Sequence, residues 1–157
     1  MRDANRRFID AAHRDGVGFD VEFTVFPDGT RTAADAAAAI GCEVAQIVKS
    51  LVFIADGAPV MALVSGANRL DPAKLAAELG ATDVRQAKAD EVRDATGFAI
   101  GGTPPFGHPA PLRTLVDRDL LGHQVLWAAA GTPDTCFPLG PDDLLGSTSA
   151  VQADLAE

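Results

Sequence analysis

The sequence predicts an α/β fold in one domain, with a mixed rather than fully parallel sheet. Three observations carry this expectation. Apolar periodicity switches repeatedly along the chain between helical spacing and strand alternation. Two apolar, β-branched runs, residues 46–54 and 59–64, flank Ala55-Asp56-Gly57-Ala58, a connection of hairpin length that makes neighbouring strands antiparallel. At 157 residues, 47% of them hydrophobic, the chain can bury a substantial core yet is the size of a single domain, residues 1–157.

Taken in order, residues 3–14 place Phe8, Ile9 and Ala12 among charges, an amphipathic helix ended by Gly16 and Gly18. Val21, Phe23 and Val25 alternate with Glu22 and Thr24, the pattern of a half-buried strand, before the turn Pro27-Asp28-Gly29. Thr32 is placed to cap an alanine-rich helix over 33–40, with Asp35 in its first turn and Gly41 after it. The central hairpin follows. Asp71 and Pro72 then open a helix as N-cap and first-turn proline, running to Leu79, and residues 88–95 form another before Gly97. Residues 101–111 hold four prolines and three glycines, so they predict a shaped loop. Strands are expected at 113–116, 124–129 and 136–139, with a turn at Gly131-Thr132-Pro133 and a last helix over 141–145.

No apolar run approaches the roughly 18 residues needed to cross a bilayer. The opening MRDANRRFID has no apolar stretch of the secretory kind, so a cytoplasmic protein without membrane attachment is expected. Cys42 and Cys136 lie outside any CxxC or Cys/His pattern, which predicts reduced thiols and no metal site. A formal charge of −9 argues against DNA and against any broad grip on nucleic acid, because such affinity comes from Lys and Arg neutralising phosphates. The one locally basic segment is the first helix, where Arg2, Arg6, Arg7 and Arg14 stand against Asp3 and Asp10. It reads either as a solvated helix face or as a local RNA contact, with Arg6 and Arg7 as phosphate partners.

Three constellations carry chemistry. Lys49, one of three lysines, sits in an apolar strand on the same face as Ile47, Leu51 and Phe53. A buried ammonium there requires either a structural carboxylate partner or a cleft in which it meets an anionic or carbonyl group of a ligand. The loop Gly101-Gly102-Thr103-Pro104-Pro105-Phe106-Gly107-His108 can present fixed N–H donors to a developing oxyanion, or serve as a rigid turn. Asp134, in the turn after the strand holding Trp127, can meet a ligand amine or ribose hydroxyl, pair with Lys49, or cap its own turn. No GxSxG elbow, P-loop or dinucleotide fingerprint occurs, and His13, His108 and His123 are too scattered for a triad.

Together, TAADAAAAIGCEVAQIVKSLVF (32–53), GGTPPFGH (101–108) and AGTPDTCFPLGPDDLL (130–145) resemble the successive signature segments of the YbaK/prolyl-tRNA-editing domain family, over nearly the whole chain. The resemblance implies a curved mixed sheet flanked by helices, with a cleft beside the lysine strand and the glycine-proline loop. It also implies a cofactor-free hydrolase that removes a small noncognate amino acid from mischarged aminoacyl-tRNA, foremost tRNA for proline, as a free-standing enzyme acting in trans. Lys49 matches the family's active-site lysine, and Gly101 and Gly102 its glycine loop. Asp134 falls near a C-terminal site residue. Ser50, Thr103, Pro104, Pro105, His108 and Asp134 are then expected to bind substrate. An aminoacyl ester is already activated, so a neighbouring ribose hydroxyl can assist the nucleophile and no triad is needed. The acidic charge implies delivery by prolyl-tRNA synthetase or an elongation factor. A non-catalytic module that holds a nucleotide, aminoacyl-adenosine or tRNA is the competing reading, and hydrolysis of a different small ester a third.

Overall fold

A computed structural model describes residues 2–157. Helix α1 (Asp3–Asp15) leads through an irregular stretch to β1 (Thr24–Val25) and α2 (Ala33–Ile40). A 3-10 turn (Val44–Gln46) precedes β2 (Val48–Ala55) and β3 (Ala58–Ser65), then α3 (Pro72–Leu79), β4 (Val84–Gln86) and α4 (Ala89–Thr96). After the glycine-proline loop come β5 (Arg113–Asp117), a 3-10 turn (Arg118–Gly122), β6 (Leu126–Ala129), β7 (Thr135–Leu139), α5 (Pro141–Thr148) and β8 (Val151–Ala153).

The sheet is mixed, as expected from the hairpin. Five strands run in the order β4-β2-β3-β5-β8, and three more in the order β1-β7-β6. Pairs β4–β2 and β2–β3 are antiparallel, whereas β3–β5 and β5–β8 are parallel. A parallel bridge between Ile47 and Trp127 links the two sheets. The β2–β3 turn places Asp56 at φ 48° and Gly57 at φ 85°, the left-handed pair that matches the twist of a two-residue hairpin.

Helix ends follow the residues that were expected to set them. Thr32 Oγ1 accepts from Asp35 N, and Asp71 accepts from Ala73 N and Lys74 N with Pro72 in the first turn. Other elements differ from expectation. Val21 and Phe23 lie outside β1, whose two residues are exposed; they pack against the core without pairing, so their alternation records burial rather than a ladder. Strands β4 and β8, three residues each, were not anticipated, and α5 runs on to Thr148.

Both faces of the five-stranded sheet are covered, as parallel pairing requires. Val48, Val52, Met61, Leu63 and Val116 pack on one side with Phe8, Phe98, Phe106 and Phe137. Phe53, Val60, Ala62 and Val64 pack on the other with Leu70, Leu75 and Leu155. Phe8 anchors α1, its ring centroid 5.2 Å from Phe106 and 5.1 Å from Phe137.

One turn further N-terminal, the buried Asn5 amide donates to Ala130 O at 2.9 Å and Thr135 Oγ1 at 3.0 Å. It thereby ties α1 to the β6–β7 turn, and Ala4 presses on Gly131, where a Cβ would lie 2.7 Å from Ala4 O. Asn5→Ala removes a donor from two buried acceptors, so a loss of about 2 kcal/mol is expected. For a domain of this size that lowers Tm by roughly 4–8 °C, which a thermal melt checks.

Candidate functional site

The outer edge of β2 is only partly covered. Strand β4 pairs with it at Phe53, Ile54 and Ala55, and β6 meets it at Ile47. Between these contacts a cavity of about 360 Å³ opens, a size suited to a small ligand. Its walls are Thr30–Ala33 and Ala36 leading into and along α2, Ile47 and the first five residues of β2, and Gln86, Ala87 and Val92. Ile100, Gly101 and Thr103 of the glycine loop, Trp127–Ala129 of β6 and Cys136 of β7 complete it. Its charged lining residues are both cations, Arg31 and Lys49. In a chain of net charge −9 this is a local reversal of sign, and low-dielectric walls strengthen its effect on a bound anion.

Extended backbone sends adjacent side chains to opposite faces. Leu51 and Phe53 accordingly join the cluster around α3, and Val48 and Val52 the other core. Lys49, on the Leu51 parity, is half-buried, and its Nζ donates to Asn68 O at 2.5 Å. Burial lowers its pKa below the ordinary lysine value, while the nearby Asp117 carboxylate raises it in part. Asp117 itself is buried and accepts from Ser65 N at 3.1 Å and Asn68 Nδ2 at 2.8 Å, fixing the loop that supplies the lysine's carbonyl. Ser50 lies on the other parity. Its Oγ is buried in the cavity wall and has no protein hydrogen-bond partner.

The glycine loop reaches the cavity through Gly101, at φ 87°, and Thr103, whose hydroxyl donates to Ala99 O at 2.9 Å. Gly102 is pressed against the β6–β7 turn, where a Cβ would lie 2.8 Å from Thr132 Cα. The rest of the loop turns away. Pro105 and His108 line a separate cavity beside Arg14 and Ser149, and Pro104 lines neither. The His108 ring, 9% exposed, donates from Nε2 to Pro104 O at 2.9 Å, clasping the loop onto itself.

The structure therefore separates Pro104, Pro105 and His108 from the Lys49 cavity, because the diproline redirects the chain past Thr103. Burial lowers the His108 pKa from 6.5, so the folded protein holds it neutral. The stability tied to that neutral ring is complete above pH 6.5 and is lost as pH falls through 6.5 toward the lower folded value. Wild type is expected to lose more Tm between pH 7.5 and 5.5 than His108→Gln, as paired thermal melts will show.

Asp134 also lies outside the Lys49 cavity. It accepts from Arg2 at the start of α1 and from Thr132 Oγ1 in its own turn, so it does not pair with Lys49. Arg7 donates to Gly97 O at 2.7 Å and lies 4.9 Å over the Phe98 ring, and Arg6 is an exposed residue of α1 away from the cavity. Sequence reasoning missed Thr30, Arg31, Trp127 and Cys136 as lining residues. Arg31 alone left a signal, as an isolated cation before a capped helix. Cys42 and Cys136 are free thiols, each with its pKa raised by burial, and no metal-holding group of His, Cys, Asp and Glu occurs among the described residues. No helix among them is long and apolar enough to cross a membrane.

The family model described as "Aminoacyl-tRNA editing domain" matches residues 27–146. A proline–tRNA ligase of Geobacter sp. (strain M21) is 36% identical over 107 residues, 68% of this chain and 19% of that protein. The chain thus spans about a fifth of the length of the curated relatives it matches. Among solved structures, a candidate trans-editing enzyme for prolyl tRNA synthetase superposes with a TM-score of 0.94 at 47% identity, covering 100% of this chain and 99% of that one. A scaffold protein from computational epitope grafting superposes with a TM-score of 0.92 at 43% identity, with the same coverage.

Proposed function

The chain belongs to the aminoacyl-tRNA editing domain family, and from that premise we propose that it is an aminoacyl-tRNA deacylase. Its substrate is tRNA for proline carrying a small noncognate amino acid, cleaved in trans. The observation that carries this reading is the cavity itself. It brings the lysine strand and the glycine loop to one space whose walls are largely apolar and whose charged residues are both cations.

In the proposed reaction water attacks the ester carbonyl. The carbonyl oxygen takes negative charge, the bond from the acyl carbon to the ribose oxygen breaks, and that oxygen receives the proton. The products are the free amino acid and tRNA with its terminal hydroxyl restored. Lys49, once its ammonium swings from the Asn68 carbonyl into the cavity, compensates the developing charge or binds the adjacent phosphodiester. The main-chain N–H of Gly101 meets the oxyanion, while Gly102, whose N–H donates to Ala99 O at 3.1 Å, holds the loop in place behind it. The neighbouring ribose hydroxyl orients the water, which accounts for chemistry without a triad. Thr103 lines the pocket, and Ala33, Ala36, Ala87, Ala128 and Ala129 give it an apolar lining suited to a small side chain.

Specificity for tRNA for proline is supported by the proline–tRNA ligases among the relatives and by the solved neighbour's description. With net charge −9 the protein holds tRNA weakly by itself, and prolyl-tRNA synthetase or an elongation factor delivers it. Arg31, exposed at the cavity rim, is the better-placed phosphate partner than Arg6 or Arg7. The test is deacylation of alanyl-tRNA for proline beside the alanyl ester of a simple alcohol. Hydrolysis confined to the tRNA ester is expected; equal turnover of both would make this a general small-ester hydrolase.

A further inference from the structure

The hydroxyls lining the cavity differ in one respect. Thr30 Oγ1 donates to Pro133 O at 2.9 Å, Thr32 Oγ1 accepts from Asp35 N at 3.0 Å, and Thr103 Oγ1 donates to Ala99 O at 2.9 Å. Ser50 Oγ has no such engagement, and it is the one buried side-chain polar atom without a partner among the described residues. Leaving a hydroxyl desolvated and unpaired is unfavourable, so its retention in a cavity wall calls for a ligand group that pairs with it.

The main chain reinforces the point. In β2 alternate residues direct their N–H and C=O toward β3 or away from it, and the Val52 carbonyl points away, accepting from Ala87 N at 3.0 Å. Ser50, two residues earlier, has the same orientation, toward the edge that β4 and β6 leave between their contacts. Its carbonyl thus faces that edge, and Ser50 itself lines the cavity that opens there.

We propose that Ser50 seats the α-amino group of the substrate's amino acid, accepting its hydrogens at Oγ and at the main-chain carbonyl. The inference rests on the aminoacyl-ester reading above and assigns within it the group that reading leaves unplaced. An aminoacyl-adenosine end offers an ester oxygen and phosphates, which suit the cationic Lys49 and Arg31, and an amine, which does not. The cavity is lined by no carboxylate, so the amine needs neutral acceptors. It is accordingly bound as the free base, and its two hydrogens match the two acceptors of Ser50. Recognition of the amine also fixes which face of the acyl carbon meets the glycine loop.

The test uses two non-hydrolysable amides, 3′-alanylamino-3′-deoxyadenosine and its 3′-propionylamino counterpart, which differ only in the amine. Their affinities are measured calorimetrically at pH 8.5 for wild type, Ser50→Ala and Ser50→Thr. Wild type is expected to prefer the alanyl compound by about tenfold, the scale of one to two good hydrogen bonds. Ser50→Ala reduces that preference at least threefold, because only the main-chain carbonyl remains, and Ser50→Thr restores it. Removing an orphaned hydroxyl leaves Tm unchanged or higher, so folding does not confound the comparison.

Equal affinity of wild type for both amides overturns the assignment. So does a preference that Ser50→Ala leaves intact, or no binding of either compound at millimolar concentration. Deacylation of alanyl-tRNA by wild type, measured alongside, reports separately on the hydrolase reading: loss of deacylation with the amine preference present would sink that reading and spare Ser50.

Discussion

Replacing Lys49 by alanine is expected to slow single-turnover deacylation by about 100-fold or more, on the order of 2.7 kcal/mol of transition-state stabilisation. The expectation follows from where the cation sits. Lys49 and Arg31 are the charged groups of the cavity lining, and Arg31 is at the exposed rim. Removal of Lys49 therefore leaves Arg31, at the rim, as the one cation of the lining. Half-burial disfavours the ammonium and lowers its pKa, so a charge meeting it gains more than it would in water. The fold tolerates the change, because the lysine has no ion-pair partner within the described residues and its one acceptor is the Asn68 carbonyl. Lys49→Met, which keeps the stem and removes the charge, separates electrostatics from packing. Both variants are expected to fall equally, and recovery of activity in Lys49→Met would assign the lysine a packing role.

The second large effect lies at Gly102. A Cβ there would stand 2.8 Å from Thr132 Cα and 2.9 Å from Gly131 O, main-chain atoms with nowhere to go. Asn5, Ala4 and the Thr132–Thr135 hydroxyl pair hold that turn from behind. Gly102→Ala must therefore push the glycine loop rather than the turn, costing about 2–3 kcal/mol of stability and the alignment of the loop's N–H groups. Activity is expected to fall by about 100-fold, since a small displacement of oxyanion donors is that damaging. Gly101→Ala is the control. Its Cβ meets nothing closer than 3.9 Å, and φ 87° adds strain of about 1–2 kcal/mol. A melt and a deacylation assay on both variants rank them, and the account requires the Gly102 variant to be the more impaired in activity.

Much of this site was legible before the structure because its parts are local. The lysine strand announces itself by a cation among β-branched residues, and its face assignment needs only alternation, which Leu51 and Phe53 obey in the fold. Gly101-Gly102 stood out as paired glycines before prolines. What composition and spacing do not show is which way a loop turns after such a pair. His108 lies seven residues from Gly101 yet faces a different cavity, because its ring bonds Pro104 O and the diproline carries the chain across. Of the three roles open to Asp134, the structure shows the one within its own turn, and the further partner, Arg2, is 132 residues away in sequence. Trp127 and Ala87 enter the cavity through long-range pairings with Ile47 and Val52, and β4 is too short at three residues to show a periodicity. Ser50 was visible as a neighbour of Lys49, but that its hydroxyl is buried and unpaired is a property of the packed protein.

On the proposed reading, this cavity removes a small amino acid wrongly joined to tRNA for proline. Single-turnover hydrolysis of tRNA for proline charged in parallel with alanine, cysteine, serine and proline tests it most directly. Rapid loss of one small noncognate residue, with prolyl-tRNA spared, is the predicted result. No hydrolysis across the panel, with the aminoacyl-adenosine analogues still bound, would contradict it and leave a module that binds this end of tRNA without cleaving it.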